Sequence, residues 1–150
     1  MSAPRTGQCL CGAVRFSAAE IGNFGVCHCR TCQRWTGSAL FGVTVPAAAM
    51  RIDGAENVVT YVSSSWATRS HCGTCGSPLW YRYDPKKDGG GSYEVPIGLL
   101  DDTSGLPLQR EIFIDTKPES YALAGEHPRL TEAEVTALYA GNQASNPEGA

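Results

Sequence analysis

The sequence predicts a single mainly β domain of short antiparallel sheets, stabilised by zinc and carrying one short C-terminal helix. Three observations carry that expectation. Glycine and proline number seventeen and nine in 150 residues, above an average combined share of roughly 12%. Short Val/Ile/Tyr/Phe runs recur between them, as strands bounded by turns require. All seven cysteines fall in three clusters, Cys9/Cys11, Cys27/Cys29/Cys32 and Cys72/Cys75, and scattered core thiols do not cluster in this way. A chain of this length buries roughly two-thirds of its unfolded surface as one domain. That domain is expected over 1–150, with its core at about 7–140.

Taken in order, residues 7–18 predict a metal-binding turn running into a strand. In extended backbone alternate side chains share a face, so Cys9 and Cys11 point together while Leu10 points away. Gly12 then serves a tight turn. Residues 22–27 form a strand that delivers the Cys27 cluster, and 30–35 have room for one helical turn. Ala39–Val45 is a strong strand candidate, followed by a helical turn at 46–49, where Pro46 is accepted in a first turn. Met50–Asp53 and Val58–Val62 are further strands, separated by residues 54–57. Residues 66–83 place the Cys72/Cys75 pair in a knuckle between two strands, whose backbone N–H groups can reach the thiolates.

Residues 88–92 are expected to be a flexible loop. Tyr93–Leu100 reads as a strand that Pro96 assigns to an edge or bulge, and Glu111–Asp115 as the last clear strand. Thr131 and Glu134 form a capping box for a helix over 131–139 that Gly141 ends. Residues 142–150 are expected to be disordered.

The net charge of −3 and pI near 5.6 leave no electrostatic footprint for nucleic acid or an anionic membrane. No apolar run of about 18 residues is present, and the N-terminus has no signal-like apolar stretch. With an odd cysteine count, these features predict a cytoplasmic protein without a disulfide framework. It is expected to be a monomer or homodimer.

Zinc is the expected metal. Cys9, Cys11, Cys72 and Cys75 would close one tetrahedral, structural site. Cys27, Cys29 and Cys32 would hold a second zinc with one position free. His28 lies between two cysteines that share a face, so it points away from them. It is either a histidine satisfied by backbone or a participant in proton transfer or thiol contact.

The ordered set of Cys9-Leu10-Cys11-Gly12, Cys27-His28-Cys29-Arg30-Thr31-Cys32 with Gly37-Ser38, and Cys72-Gly73-Thr74-Cys75-Gly76 resembles the glutathione-dependent formaldehyde-activating enzymes. That family includes relatives of centromere protein V, and the resemblance covers residues 7–115. It implies a β "tent" like that of small zinc-stabilised chaperones of small GTPases. It also implies a structural site at the outer cysteines and a second site tied to activity at Cys27, Cys29 and Cys32. The implied reaction joins glutathione to formaldehyde as S-hydroxymethylglutathione, a carbon–sulfur lyase chemistry. Two positions depart from the family pattern. His71 stands where an aromatic residue is expected, and Ser120 stands where relatives tend to carry Trp, a change that bears on the substrate more than on the fold.

Zinc on three thiolates is a weak Lewis acid that can still take a fourth sulfur and lower that thiol's pKa. A small aldehyde is the natural electrophile for such a nucleophile. Arg30 and Arg34 could offset the site's negative charge or pair with glutathione carboxylates, or be solvated surface charges. Trp35 could wall a cleft or belong to the core, while Gly37 and Ser38 could donate to the peptide. Zinc deaminase chemistry is excluded, because the H-x-E element before a P-C-x-x-C is missing. A nucleophile elbow and a Gly-rich phosphate loop are missing as well. Two rivals remain: a non-catalytic zinc-binding interaction module, and a redox sensor that needs Cys29 and Cys32 metal-free and reactive.

Overall fold

Strands and turns dominate the computed structural model, which describes residues 3–83 and 91–142, without the side chains of 139–142. The loop expected at 88–92 falls largely, and the tail expected at 142–150 almost wholly, outside the described residues. Eleven strands and two α-helices are formed among the described residues. No helix among them is long and apolar enough to cross a membrane. The chain divides into two compact units, 1–23 with 42–106, and 24–41 with 107–150.

The first unit contains two antiparallel arrangements. Strands β1 (Arg5–Gln8), β2 (Arg15–Ala18) and β5 (Met50–Asp53) form a three-stranded sheet in the order β1-β2-β5. Strands β4 (Leu40–Pro46, from Gly42 onward in this unit), β9 (Ser92–Pro96), β8 (Pro78–Tyr83), β7 (Ala67–Cys72) and β6 (Val58–Ser64) pair in that order. Alternation decides what each strand buries: Val43 and Val45 of β4 are fully buried while Thr44 between them is not, as period-two side chains require. Leu79, Trp80 and Val95 join them in the core. The Trp80 ring meets Phe16 and Tyr93 edge-on at 6.0 and 5.5 Å, the geometry that the ring quadrupoles favour.

Pro96 is not on an edge strand, contrary to expectation. β9 is paired on both sides, and Pro96 is its last residue, matched to Gly42 of β4 but lying beyond the pairing with β8. A residue without an N–H fits there because no second neighbour asks for one. The chain then turns through a 3₁₀ segment at Ile97–Leu99, so the strand expected to reach Leu100 stops four residues early.

The second unit departs from an all-antiparallel plan. β10 (Arg110–Ile112) runs parallel both to β3 (Phe24–Cys27) and to β11 (Arg129–Leu130). The expected continuation of β10 to Asp115 is broken at Phe113, whose φ of 58° lies in the left-handed region, costly for a residue with a bulky side chain. Its burial holds it there. Phe113 packs with Leu40, Val135, Cys29 and Cys32 in one apolar cluster.

Two helices flank that cluster. α1 (Arg30–Thr36) is longer than the single turn expected at 30–35; Cys29 caps its start and Gly37, at φ 89°, its end, where a left-handed cap favours glycine. α2 (Glu132–Asn142) starts on the expected capping box: the Thr131 N–H donates to Glu134 Oε1 at 2.8 Å, and the Glu134 N–H to Thr131 Oγ1 at 3.2 Å. Gly141 does not end this helix but lies within its final turn.

Candidate functional site

The first cysteine cluster is assembled from two turns of the first unit. Cys9 and Cys11 sit between β1 and β2, Cys72 ends β7, and Cys75 lies in the turn before β8. Their four sulfurs all lie within 4.8 Å of one another, with Cys9–Cys11 at 3.7 Å and Cys11–Cys72 at 3.9 Å. A tetrahedral ion with bonds of about 2.3 Å to sulfur sets its ligands about 3.8 Å apart. The four sulfurs therefore fit one such ion.

The metal-binding turn expected before β2 forms at Cys9–Gly12, curled rather than extended. The Gly12 N–H donates to the Cys9 carbonyl at 3.2 Å, and the Cys9 N–H to the Val14 carbonyl at 3.0 Å. Residues two apart on a strand are separated by roughly 6.6 Å, too far for sulfurs in contact without this curl. Leu10 still points outward, 84% exposed. The second turn follows expectation. The N–H groups of Thr74 and Cys75 donate to Cys72 Sγ at 3.3 and 3.5 Å, and Gly76 at φ 82° donates to the Cys72 carbonyl.

The sulfurs are electrostatically unequal. The Ser77 hydroxyl and backbone N–H pull Cys75 down to about 5. At Cys11 the Ala13 N–H also lowers the pKa, but burial and the sulfurs of Cys75, Cys9 and Cys72 outweigh it and leave it raised to about 11. Four thiolates cannot share this space unless a cation joins them.

The second cluster belongs to the second unit. Cys27 ends β3, Cys29 caps α1 and Cys32 lies on its first turn, with their sulfurs also within 4.8 Å of one another. Cys29 Sγ accepts the Cys32 N–H at 3.3 Å. Cys29 and Cys32 are 4% and 3% exposed, inside the apolar cluster, and Cys27 is half-buried at its margin. Hydrogen bonding to Cys29 and Cys32 holds the Cys27 thiol well above its ordinary pKa, and burial adds to this. This set too could hold a metal ion. It offers three ligands where the first offers four.

His28 is not grouped with the three sulfurs as a further ligand, and its ring partner is a side chain rather than backbone alone. Its Nε2 lies 2.7 Å from Glu111 Oε1, and both residues are fully buried. The other carboxylate oxygen of Glu111 is 2.6 Å from His127 Nε2 and accepts from Arg129 Nε at 3.1 Å. Burial works to raise the Glu111 pKa, but hydrogen bonds and charge from His127 and His28 overcome it and keep the carboxyl below its ordinary range. Sequence reasoning missed Glu111, His127 and Arg129. The available signal was a lone carboxylate at the start of an apolar strand segment, Glu111-Ile112-Phe113-Ile114.

The remaining candidates lie on or beside α1. Arg30 and Arg34 are exposed, and Arg30 Nη1 donates to Gln33 Oε1 at 3.1 Å. Trp35 packs against the apolar cluster that contains Cys29 and Cys32. Gly37 and Ser38 are exposed, and the Ser38 hydroxyl donates to the Ala39 carbonyl. His71 lies on β7 opposite Val59. Ser120 is exposed, and the neighbouring Tyr121 ring lies 6.3 Å from the His28 ring, with Lys117 Nζ 4.7 Å above it.

A mainly β chain with one four-sulfur and one three-sulfur cluster defines a protein built around thiolate sites able to hold metal ions. The model of the glutathione-dependent formaldehyde-activating enzymes matches residues 4–116, and the chain belongs to that family. A Schizosaccharomyces pombe protein named as an uncharacterised lyase is 31% identical over 130 residues, 86% of this chain and 92% of that protein. A Halomonas elongata protein that provisionally carries the family's name is 30% identical over 89 residues, 53% of this chain and 56% of that one. A crystal structure of a Rhodobacter sphaeroides protein shares the fold, with a TM-score of 0.55 at 24% identity. That match covers 83% of this chain and 98% of the other.

Proposed function

We propose that the protein is a zinc-dependent carbon–sulfur lyase that forms or cleaves the S-hydroxymethyl adduct of glutathione, or of a similar thiol, with formaldehyde or a related small electrophile. The observation that carries this reading is the difference in ligand count. Four sulfurs at Cys9, Cys11, Cys72 and Cys75 complete a tetrahedron and leave no position for substrate, whereas Cys27, Cys29 and Cys32 leave one. Family membership supports the substrate class.

In the forward direction the thiol sulfur bonds to the aldehyde carbon, the carbonyl π pair moves onto oxygen, and the thiol proton ends on that oxygen. The reverse breaks the C–S bond and restores thiol and aldehyde. Zinc bound at Cys27, Cys29 and Cys32 would supply a seat for the incoming thiol and lower its pKa. Cys27, half-buried where its two neighbours are sealed, marks the side from which a thiol can approach. Arg30 and Arg34 stand exposed on the same helix as Cys32, suited to pairing with the two carboxylates of glutathione. Trp35, Gly37 and Ser38 complete the proposed contact set.

The burial of Cys29 and Cys32 also favours a second reading, in which the three-sulfur site is a non-catalytic metal site of an interaction module. It counts against a redox sensor, which needs an accessible, low-pKa thiol. Zinc per chain, measured before and after exposure to millimolar glutathione, separates the readings. Two zincs with one perturbed by glutathione, followed by adduct formation with formaldehyde seen by NMR, is the expected result. One zinc that glutathione leaves untouched would overturn the lyase reading.

A further inference from the structure

A fully buried carboxylate is costly unless paired, and a well-packed apolar side chain in its place often stabilises a fold at least as well. Glu111 is such a carboxylate, 0% exposed, and nothing in the proposed chemistry uses it. We propose that Glu111 is a positioning residue for the three-cysteine cluster, holding through His28 the peptide from which Cys27 and Cys29 project. This rests on the reading of Cys27, Cys29 and Cys32 as a metal site.

The geometry points there by several independent contacts. His28 is the residue between two ligands, so its placement sets theirs. Its N–H donates to the Ile112 carbonyl at 3.0 Å. Its carbonyl accepts from Gln33 Nε2 at 2.7 Å, and the same amide reaches the Thr116 carbonyl at 3.1 Å. Its ring has one hydrogen-bonding anchor, Glu111 Oε1, because the buried Nδ1 has no partner among the described residues.

Glu111 is anchored in turn. Its N–H donates to the Pro128 carbonyl at 2.9 Å, and its second oxygen is held by His127 and by Arg129, whose side chain is 38% exposed. In the parallel register Glu111 stands beside Val26 and Ile112 beside Cys27. One carboxylate thus ties the 127–129 segment to the tip of β3. Outer-shell partners of metal ligands change affinity by about 10–100-fold when removed, which sets the scale for a residue that acts through the peptide between two of them.

The test compares the full-length wild type with Glu111→Leu, Glu111→Gln, His28→Phe and the Leu/Phe double variant. Competition with a chelator resolves zinc binding into two classes, and circular dichroism reports the fold. Glu111→Leu and His28→Phe are each expected to weaken one class about 10–100-fold and to leave the other unchanged. Glu111→Gln, which can still accept from His28, should restore most of the loss. The double variant should lose no more than either single change, the signature of one shared contact. His28→Phe keeps the ring volume and decides the matter where Glu111→Leu does not fold.

Two classes bound by the variants as tightly as by the wild type would overturn the positioning role, as would an equal weakening of both. A wild-type chain that takes up a single zinc would overturn the metal reading, and the positioning role with it.

Discussion

The two cysteine clusters use the same ligand type but are built differently. Cys9, Cys11, Cys72 and Cys75 hang from two turns in which four backbone N–H groups, those of Val14, Ala13, Thr74 and Cys75, donate to the sulfurs. Those turns gain order when the sulfurs are pulled together. Cys27, Cys29 and Cys32 are held instead by a strand end, a helix cap, an apolar cluster and a buried carboxylate–histidine contact. The first arrangement suits a metal that supplies folding energy, the second a ligand set ordered in advance. Turns close around an ion, while a packed scaffold can wait for one.

The sharpest way to break this comparison is to remove one sulfur from each. Cys72→Ser takes away a fully buried ligand of the four-sulfur site. Loss of a structural metal belongs to the most damaging substitutions, about 4 kcal/mol or more, and for a domain of this size that lowers Tm by roughly 10 °C. Cys27→Ser, at a half-buried position, should stay within about 1 kcal/mol of wild type. It should nevertheless lose one bound zinc and adduct-forming activity. Calorimetry with metal analysis checks both, and equal destabilisation by the two changes would erase the distinction.

What the chain discloses on reading follows the range of each interaction. The cysteine clusters were legible because Cys27-His28-Cys29 and Cys72-Gly73-Thr74-Cys75 place thiols next to one another in sequence. The capping box at Thr131 and Glu134 was legible because both partners lie within one helical turn. Long-range pairings were not. His28 finds Glu111 across 83 residues, and the parallel register of β10 with β3 joins segments at a similar separation. No local pattern encodes either. Phe113 was missed for a related reason: its left-handed backbone is imposed by the cluster that buries its ring, against its own preference. At Cys9–Cys11 the expected metal-binding turn formed, and Leu10 points outward from it although the alternation rule that placed it assumed an extended backbone.

A smaller effect separates the clusters by pH. The Glu111 carboxyl lies below its ordinary range in the folded protein, because hydrogen bonds and charge from His127 and His28 outweigh the opposing effect of burial. A carboxyl shifted downward on folding stabilises the fold above its unfolded pKa of about 4.3, and that contribution disappears as pH falls through the folded value. Urea midpoints of wild type and Glu111→Gln should therefore differ at about pH 5. Below pH 4 they should converge. A difference that persists unchanged to pH 3 would mean that the ionised carboxylate is not what holds the contact.

The smallest expected effect concerns the helix over the three-cysteine cluster. Val135 on the first turn of α2 is buried in the same apolar group as Cys29 and Cys32, and that turn depends on Thr131 capping the Glu134 N–H. Thr131→Ala removes the acceptor at a cost of about 1 kcal/mol and frays the turn without touching any ligand. Hydrogen exchange should quicken at residues 132–135 and at the α1 amides that face the cluster, while the turns at 9–14 and 72–77 keep wild-type rates. Zinc at the three-sulfur site should dissociate a few-fold faster, and zinc at the four-sulfur site should not change. Uniform acceleration across both sites would show that the clusters draw their order from a common source, and the contrast between a turn-built and a scaffold-built site would fail.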